Sequence, residues 1–133
     1  MKKIILILCV IALVSCHKTG SEPKIIFPKY VSTEADFKDN LKDFDSIQAV
    51  YQFTNERNLL VQKSNNNLNV IAFTSDDSMM KPGDKEPIFT NILEYLKANI
   101  VNLDEYDNVN MTLQKEGTQI EFVKSKSEIF TVE

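Results

Sequence analysis

Two apolar periods alternate along this chain, and together they leave few folds open. Ile88, Ile92, Leu96 and Ile100 recur every four residues, joined by Phe89 and Leu93. That spacing predicts a helix over about residues 86–101 whose single apolar stripe has to be covered by something. Asp84 is placed to cap it, and Pro87 is tolerated within its first turn. Elsewhere the period is two. Ile47, Ala49, Tyr51 and Phe53 alternate with Gln48, Gln52 and Thr54, with Val50 out of phase. Val109, Met111 and Leu113 alternate with Asn108, Asn110, Thr112 and Gln114. Segments of this kind are strands with one buried face. A one-faced sheet and a one-striped helix complete each other, so the predicted class is α+β.

The other elements follow from turn chemistry. Asn55-Glu56-Arg57-Asn58 and Ser64-Asn65-Asn66-Asn67 read as turns, separating strands at 47–54, 59–63 and 68–74. After the helix, Gly117 marks a hairpin that returns through Ile120 and Phe122. A further turn at Lys124-Ser125-Lys126-Ser127 leads into a terminal strand, Glu128 to Val132. Near the start, Thr33 with Asp36 resembles a capping box. It opens a helix over about residues 34–44 with Phe37, Leu41 and Phe44 on one face. Lys24 to Val31 is apolar but broken by Pro28, which fits an edge strand or an extended segment packed on the domain. The expectation is a two-layer sandwich in one domain, residues 24–133: an antiparallel sheet of about six strands with two helices packed on one face.

The first sixteen residues carry a different message. Met1-Lys2-Lys3 is followed by an unbroken apolar run from Ile4 to Val14. That pairing has the form of an export signal, and the run is shorter than the roughly 20 residues a membrane-crossing helix needs. It closes on Leu13-Val14-Ser15-Cys16, which resembles the lipobox of bacterial lipoproteins. The resemblance implies removal of residues 1–15 as a signal peptide, a diacylglycerol on the Cys16 sulfur, and a fatty acid such as palmitate on its freed amine. Residues 16–23 are then a lipidated cysteine and a polar tether. His17 follows the cysteine where some lineages place a retaining aspartate, so the resemblance implies the outer membrane of the cell envelope.

Composition narrows the function. Loss of Lys2 and Lys3 leaves 13 basic residues against 19 acidic, a formal charge of −6. This argues against nucleic acid, which needs clustered Lys and Arg, and against broad adhesion to anionic lipid. Cys9 leaves with the signal and Cys16 carries lipid, so no free cysteine remains for a disulfide or a nucleophile. His17 is the only histidine and sits in the tether, so Ser-His and Cys-His arrangements are not expected. Gly20, Gly83 and Gly117 are isolated and form no phosphate-cradling loop. The expectation is a non-enzymatic protein with no cofactor and no metal.

A non-catalytic module that binds an envelope or secreted protein fits these constraints. An immunity or inhibitor protein against a periplasmic toxin is an alternative, as is a small-ligand or carbohydrate binder using the Asn/Gln/Thr sheet face. The long loop at 75–85 is the expected partner-binding segment, because it sets Met79 and Met80 among Asp76, Asp77 and Lys81. A hydrophobic staple against the following helix would use the same methionines.

Overall fold

The computed structural model describes residues 24–60 and 62–131; the signal segment, Cys16 and the tether lie outside the described residues. The elements are α1 (Glu34–Asp39), β1 (Ser46–Arg57), β2 (Gln62–Phe73), α2 (Asp77–Met80), α3 (Glu86–Asn99), β3 (Asn108–Lys115), β4 (Thr118–Ser125) and α4 (Lys126–Ile129). A 3-10 turn, Leu103–Glu105, links α3 to β3. The strands form one sheet in the order β1-β2-β3-β4.

The class is α+β, but the sheet is mixed and has four strands, not an antiparallel sheet of about six. β1 with β2 and β3 with β4 are antiparallel hairpins, whereas β2 and β3 run parallel. The reason is α3: it carries the chain back along the sheet, so β3 re-enters in the direction of β2. Two expected strands merge because Ser64-Asn65-Asn66-Asn67 does not turn. Asn67 pairs with Gln52 on one side and Asn108 on the other. The Asn66 amide donates to Asp107 Oδ2 at 2.8 Å, and its side-chain oxygen accepts from the Tyr51 hydroxyl at 2.9 Å. Cross-strand partners therefore override the turn preference of asparagine.

The expected terminal strand is instead the short helix α4, with Val132 outside the described residues. Ser125 and Glu128 form a capping box across its first turn, and the Ser125 amide donates to Glu128 Oε2 at 2.7 Å. The backbone hydrogen bond from Ser125 holds the Glu128 carboxyl below its ordinary pKa, helped by the Ser125 hydroxyl.

α1 is shorter than the predicted 34–44 because Asn40 folds its side chain back onto the Asp36 carbonyl at 2.8 Å and ends the helix. Asp43 then takes a left-handed conformation, φ 71°, which aspartate tolerates better than most residues. Leu41 is still buried and Phe44 still packs against the core. The apolar spacing survives although the helix does not.

One core cluster joins Phe37 of α1 and Phe89, Ile92, Leu93 and Leu96 of α3 to the inner sheet face. That face presents Ile47, Val70, Met111 and their row neighbours. Both helices therefore lie on one side of the sheet. Residues 24–31 form an extended strap, bridged to the end of α3 through Tyr30 and Ile100. Two buried polar side chains lace it down. Asn102 accepts from the Lys29 amide at 2.8 Å and donates to the Phe27 carbonyl at 3.1 Å. The Tyr106 hydroxyl donates to the Ile26 carbonyl at 2.8 Å, and burial raises its pKa far above the usual phenol range.

Candidate functional site

The loop that carries the expected binding residues is more ordered than its composition suggests. Asp76 caps α2, its carboxylate accepting from the Ser78 amide at 2.8 Å. Hydrogen bonds from the Ser78 side chain and backbone hold the Asp76 carboxyl below its ordinary pKa. Asp77 pairs with Lys115 at the end of β3, N–O 2.5 Å, and that hydrogen bond raises the lysine pKa. The two acids thus pin a one-turn helix to the sheet. Met79 and Met80 are half-buried and both pack against the core cluster. Lys81 is exposed at the end of the turn. Gly83 follows with φ 143°, a conformation an L side chain rarely adopts. Asp84 Oδ1 then accepts from the Glu86 amide at 2.9 Å, but the N-cap of α3 is Lys85, one residue later than the sequence predicts, and it makes no side-chain cap bond.

Of the five expected partner-binding residues, Met79 lines a groove and the other four do not line it. This groove, of about 770 Å³, runs between the loop after α1, the turn α2 and the first turns of α3. Phe44, Met79, Pro87 and Ile88 make its apolar floor. Asp43, Asp84, Glu86 and Glu94 stand around it, all exposed, and no lysine or arginine lines it among the described residues. An apolar floor inside a ring of carboxylates suits a ligand with a basic group beside an apolar one. Asp76, Asp77 and Met80 do not line this groove but hold the turn that presents Met79, and Lys81 is exposed outside it.

Asp43, Phe44, Glu86, Ile88 and Glu94 are absent from the sequence-derived site. Asp84 and Glu86 stand at the start of α3, where acidic residues are ordinary helix-start chemistry and give no separate sign of a site. The approach of Asp43 and Phe44 depends on a tertiary bond, Asp45 amide to Phe73 carbonyl at 2.9 Å, that ties their loop to the end of β2.

The outer face of the sheet carries the expected uncharged polar side chains, and they bond to one another. Asn110 donates to Asn69 at 2.8 Å and Asn69 to Gln52 at 2.6 Å. In the next row Asn108 donates to Asn67 at 3.0 Å and Asn67 to Thr54 at 3.1 Å. This double amide ladder spans three strands beside a concavity of about 380 Å³, half the volume of the groove. Much of its bonding capacity is turned inward, which stabilises the sheet and leaves less for a sugar or peptide.

Changing Met79 and Met80 together to serine is expected to lower stability by about 2 kcal/mol, since two half-buried apolar side chains are replaced by small polar ones. Urea melts read this directly. Met80→Ser alone is expected to destabilise while leaving the lining of the groove unchanged, because Met80 is not part of it. A double variant as stable as the parent would show that the methionines do not support the fold.

A scan against protein-family models, a search of curated proteins and a search of solved structures each return no match to this chain.

Proposed function

We propose that the chain is a bacterial lipoprotein, anchored through lipid on Cys16 and facing the cell envelope, whose domain is a non-catalytic module that docks another protein in the α2–α3 groove. The observation that carries the reading is the pairing of an apolar floor with four exposed carboxylates and, among the described residues, no lining lysine or arginine. The fitting occupant is a basic, partly apolar segment of an envelope or secreted protein. Its apolar side chain would sit on Phe44, Met79 and Ile88 while its lysines or arginines meet the rim. Rim charges of this kind chiefly raise the association rate and select the partner. A basic toxin held by an immunity protein would meet the same surface, and finding a toxin gene beside this one would separate that specialised form from the general one. The amide ladder gives the carbohydrate reading weaker support, since its groups already bond to one another. His17 after the cysteine supports the outer membrane as the site of anchoring.

Photocrosslinking in living cells tests the groove. A benzoylphenylalanine at Asn91, inside it, is expected to give a discrete crosslinked partner, and one at Gln119 on the outer sheet face is not. Glu86→Lys with Glu94→Lys is expected to cut the Asn91 yield about tenfold, a change of about 1.4 kcal/mol. Crosslinks from Gln119 with none from Asn91 would move the binding site to the sheet. A yield indifferent to charge reversal would remove the basic segment as the occupant.

A further inference from the structure

The hairpin of β1 and β2 is longer than the sheet that supports it. β3 pairs with β2 only from Asn67 to Phe73. The rungs from Phe53–Asn66 to Arg57–Gln62 therefore project as a two-stranded arm. At its tip Leu59 and Leu60 are 104% and 94% exposed, the highest values among the large apolar side chains described. Neither belongs to the core cluster or packs against it. The stem behind them is exposed and polar, with Arg57 facing Gln62 and Lys63 facing Glu56 in the first two rungs. Two apolar side chains ahead of two cations have the form of an interfacial membrane contact. The leucines enter the acyl boundary and the long cationic side chains reach the phosphates.

The start of the described chain lies at the root of this arm. The Tyr51 hydroxyl shares its one hydrogen between the Asn66 side-chain oxygen at 2.9 Å and the Lys24 carbonyl at 3.2 Å. From the Tyr51–Leu68 rung to the Arg57–Gln62 rung is six residues, roughly 20 Å at strand rise. From Lys24 back to Cys16 is eight residues, with a maximal reach of roughly 25 Å. Tip and lipidated cysteine thus start from one place and have matching reach. The opposite end of the sheet, at the β3–β4 turn, has no such relation to the anchor.

We infer that Leu59 and Leu60 dip into the bilayer that holds Cys16, so that the arm acts as a second foot and fixes the domain's orientation. The inference rests on the lipoprotein reading. With the arm down, the domain stands on the membrane at a set angle instead of swinging on its tether. The acyl chains hold the protein on the bilayer, and the arm adds the second point of contact that fixes its orientation.

The test uses the full lipoprotein, purified after cellular processing and reconstituted into phosphatidylethanolamine–phosphatidylglycerol vesicles. Cys16 is acylated in this material, so a cysteine introduced as Leu60→Cys takes an environment-sensitive dye alone. Thr118→Cys, beside the β3–β4 turn, is the control. Spin-labelled lipid is expected to quench the dye at 60 about threefold more than the dye at 118. Equal quenching at the two sites overturns the proposal. So does a dye at 60 shielded from aqueous iodide but untouched by lipid quencher, because a second copy or a partner protein then covers the tip. Palmitate labelling of the same preparation separates the two readings. Acylated protein with an unquenched dye at 60 sinks the arm alone, whereas absence of palmitate removes the anchor and the arm together.

Discussion

Leu96→Ala is expected to lower stability by about 2–5 kcal/mol, while Lys97→Ala, one residue on, shifts it by no more than about 0.5 kcal/mol. Leu96 is fully buried in the middle of α3, the longest helix among the described residues, and joins the core cluster. Removing three carbons there leaves a void that neighbours can close only by moving the helix. That movement is resisted at both ends. Asp84 holds the start of α3 through the Glu86 amide, and the strap holds its end through Val31 to Asn99 at 2.9 Å. The cost should therefore sit in the upper part of the range, with a fall in melting temperature of roughly 10 °C or more. Lys97 pairs only with Glu94 at 3.1 Å on the helix surface, where such a pair contributes a few tenths of a kcal/mol. Urea melts with unchanged slope would read both values as stability differences. Equal effects at the two positions would mean that the stripe does not face the sheet.

That stripe shows what the sequence makes legible. Apolar period depends only on residues within a few positions, so α3 and the inner faces of β1, β3 and β4 can be read directly. Each strand presents the apolar face its alternation predicts. Three features were written in the chain and outweighed by competing signals. Ser125-Lys126-Ser127-Glu128 is a capping box, yet the apolar Ile129-Phe130-Thr131-Val132 behind it reads as a strand. A helix of α3's length between two strand groups favours a parallel return, yet the alternation on both sides suggests antiparallel meanders. Leu59-Leu60 has strand composition but sits at the tip of the β1–β2 hairpin, outside the core cluster.

Other features had no local signal. Asn65-Asn66-Asn67 would be a turn in isolation. It is a strand because Asp107 and Asn108, some forty residues on, accept and donate to it. The groove has the same origin. Met79 stands out as a flexible apolar side chain in a polar loop, but its companions Asp43 and Phe44 arrive from beyond a helix that ends five residues earlier than its apolar spacing implies. A groove assembled from three segments is a tertiary object, and only the segment richest in unusual residues is visible beforehand.

Cys16→Ala is expected to abolish lipidation outright while leaving the domain's melting curve unchanged. The lipobox chemistry needs the cysteine sulfur, and no other residue type can carry the diacylglycerol. Without that modification the signal should stay uncut, giving a precursor 15 residues longer than the mature chain and untouched by labelled palmitate. The fold has no stake in the change, because the strap from Lys24 onward is held by Asn102, Tyr106 and Tyr51. Membrane fractionation alone is a poor readout here. An uncut precursor keeps the apolar run from Ile4 to Val14 and can stay on the inner membrane by that means. Palmitate incorporation is the clean measurement. His17→Asp should leave labelling intact and move the protein from the outer to the inner membrane fraction, if sorting follows the residue after the cysteine. The decisive contrary result is palmitate that persists after Cys16→Ala. Only Cys9 has a second thiol, and it lies inside the apolar run. An acyl group there would mean that the leader is a retained, internally acylated anchor. The membrane-held part would then be the apolar run ending at Val14, and the lipoprotein reading would fall.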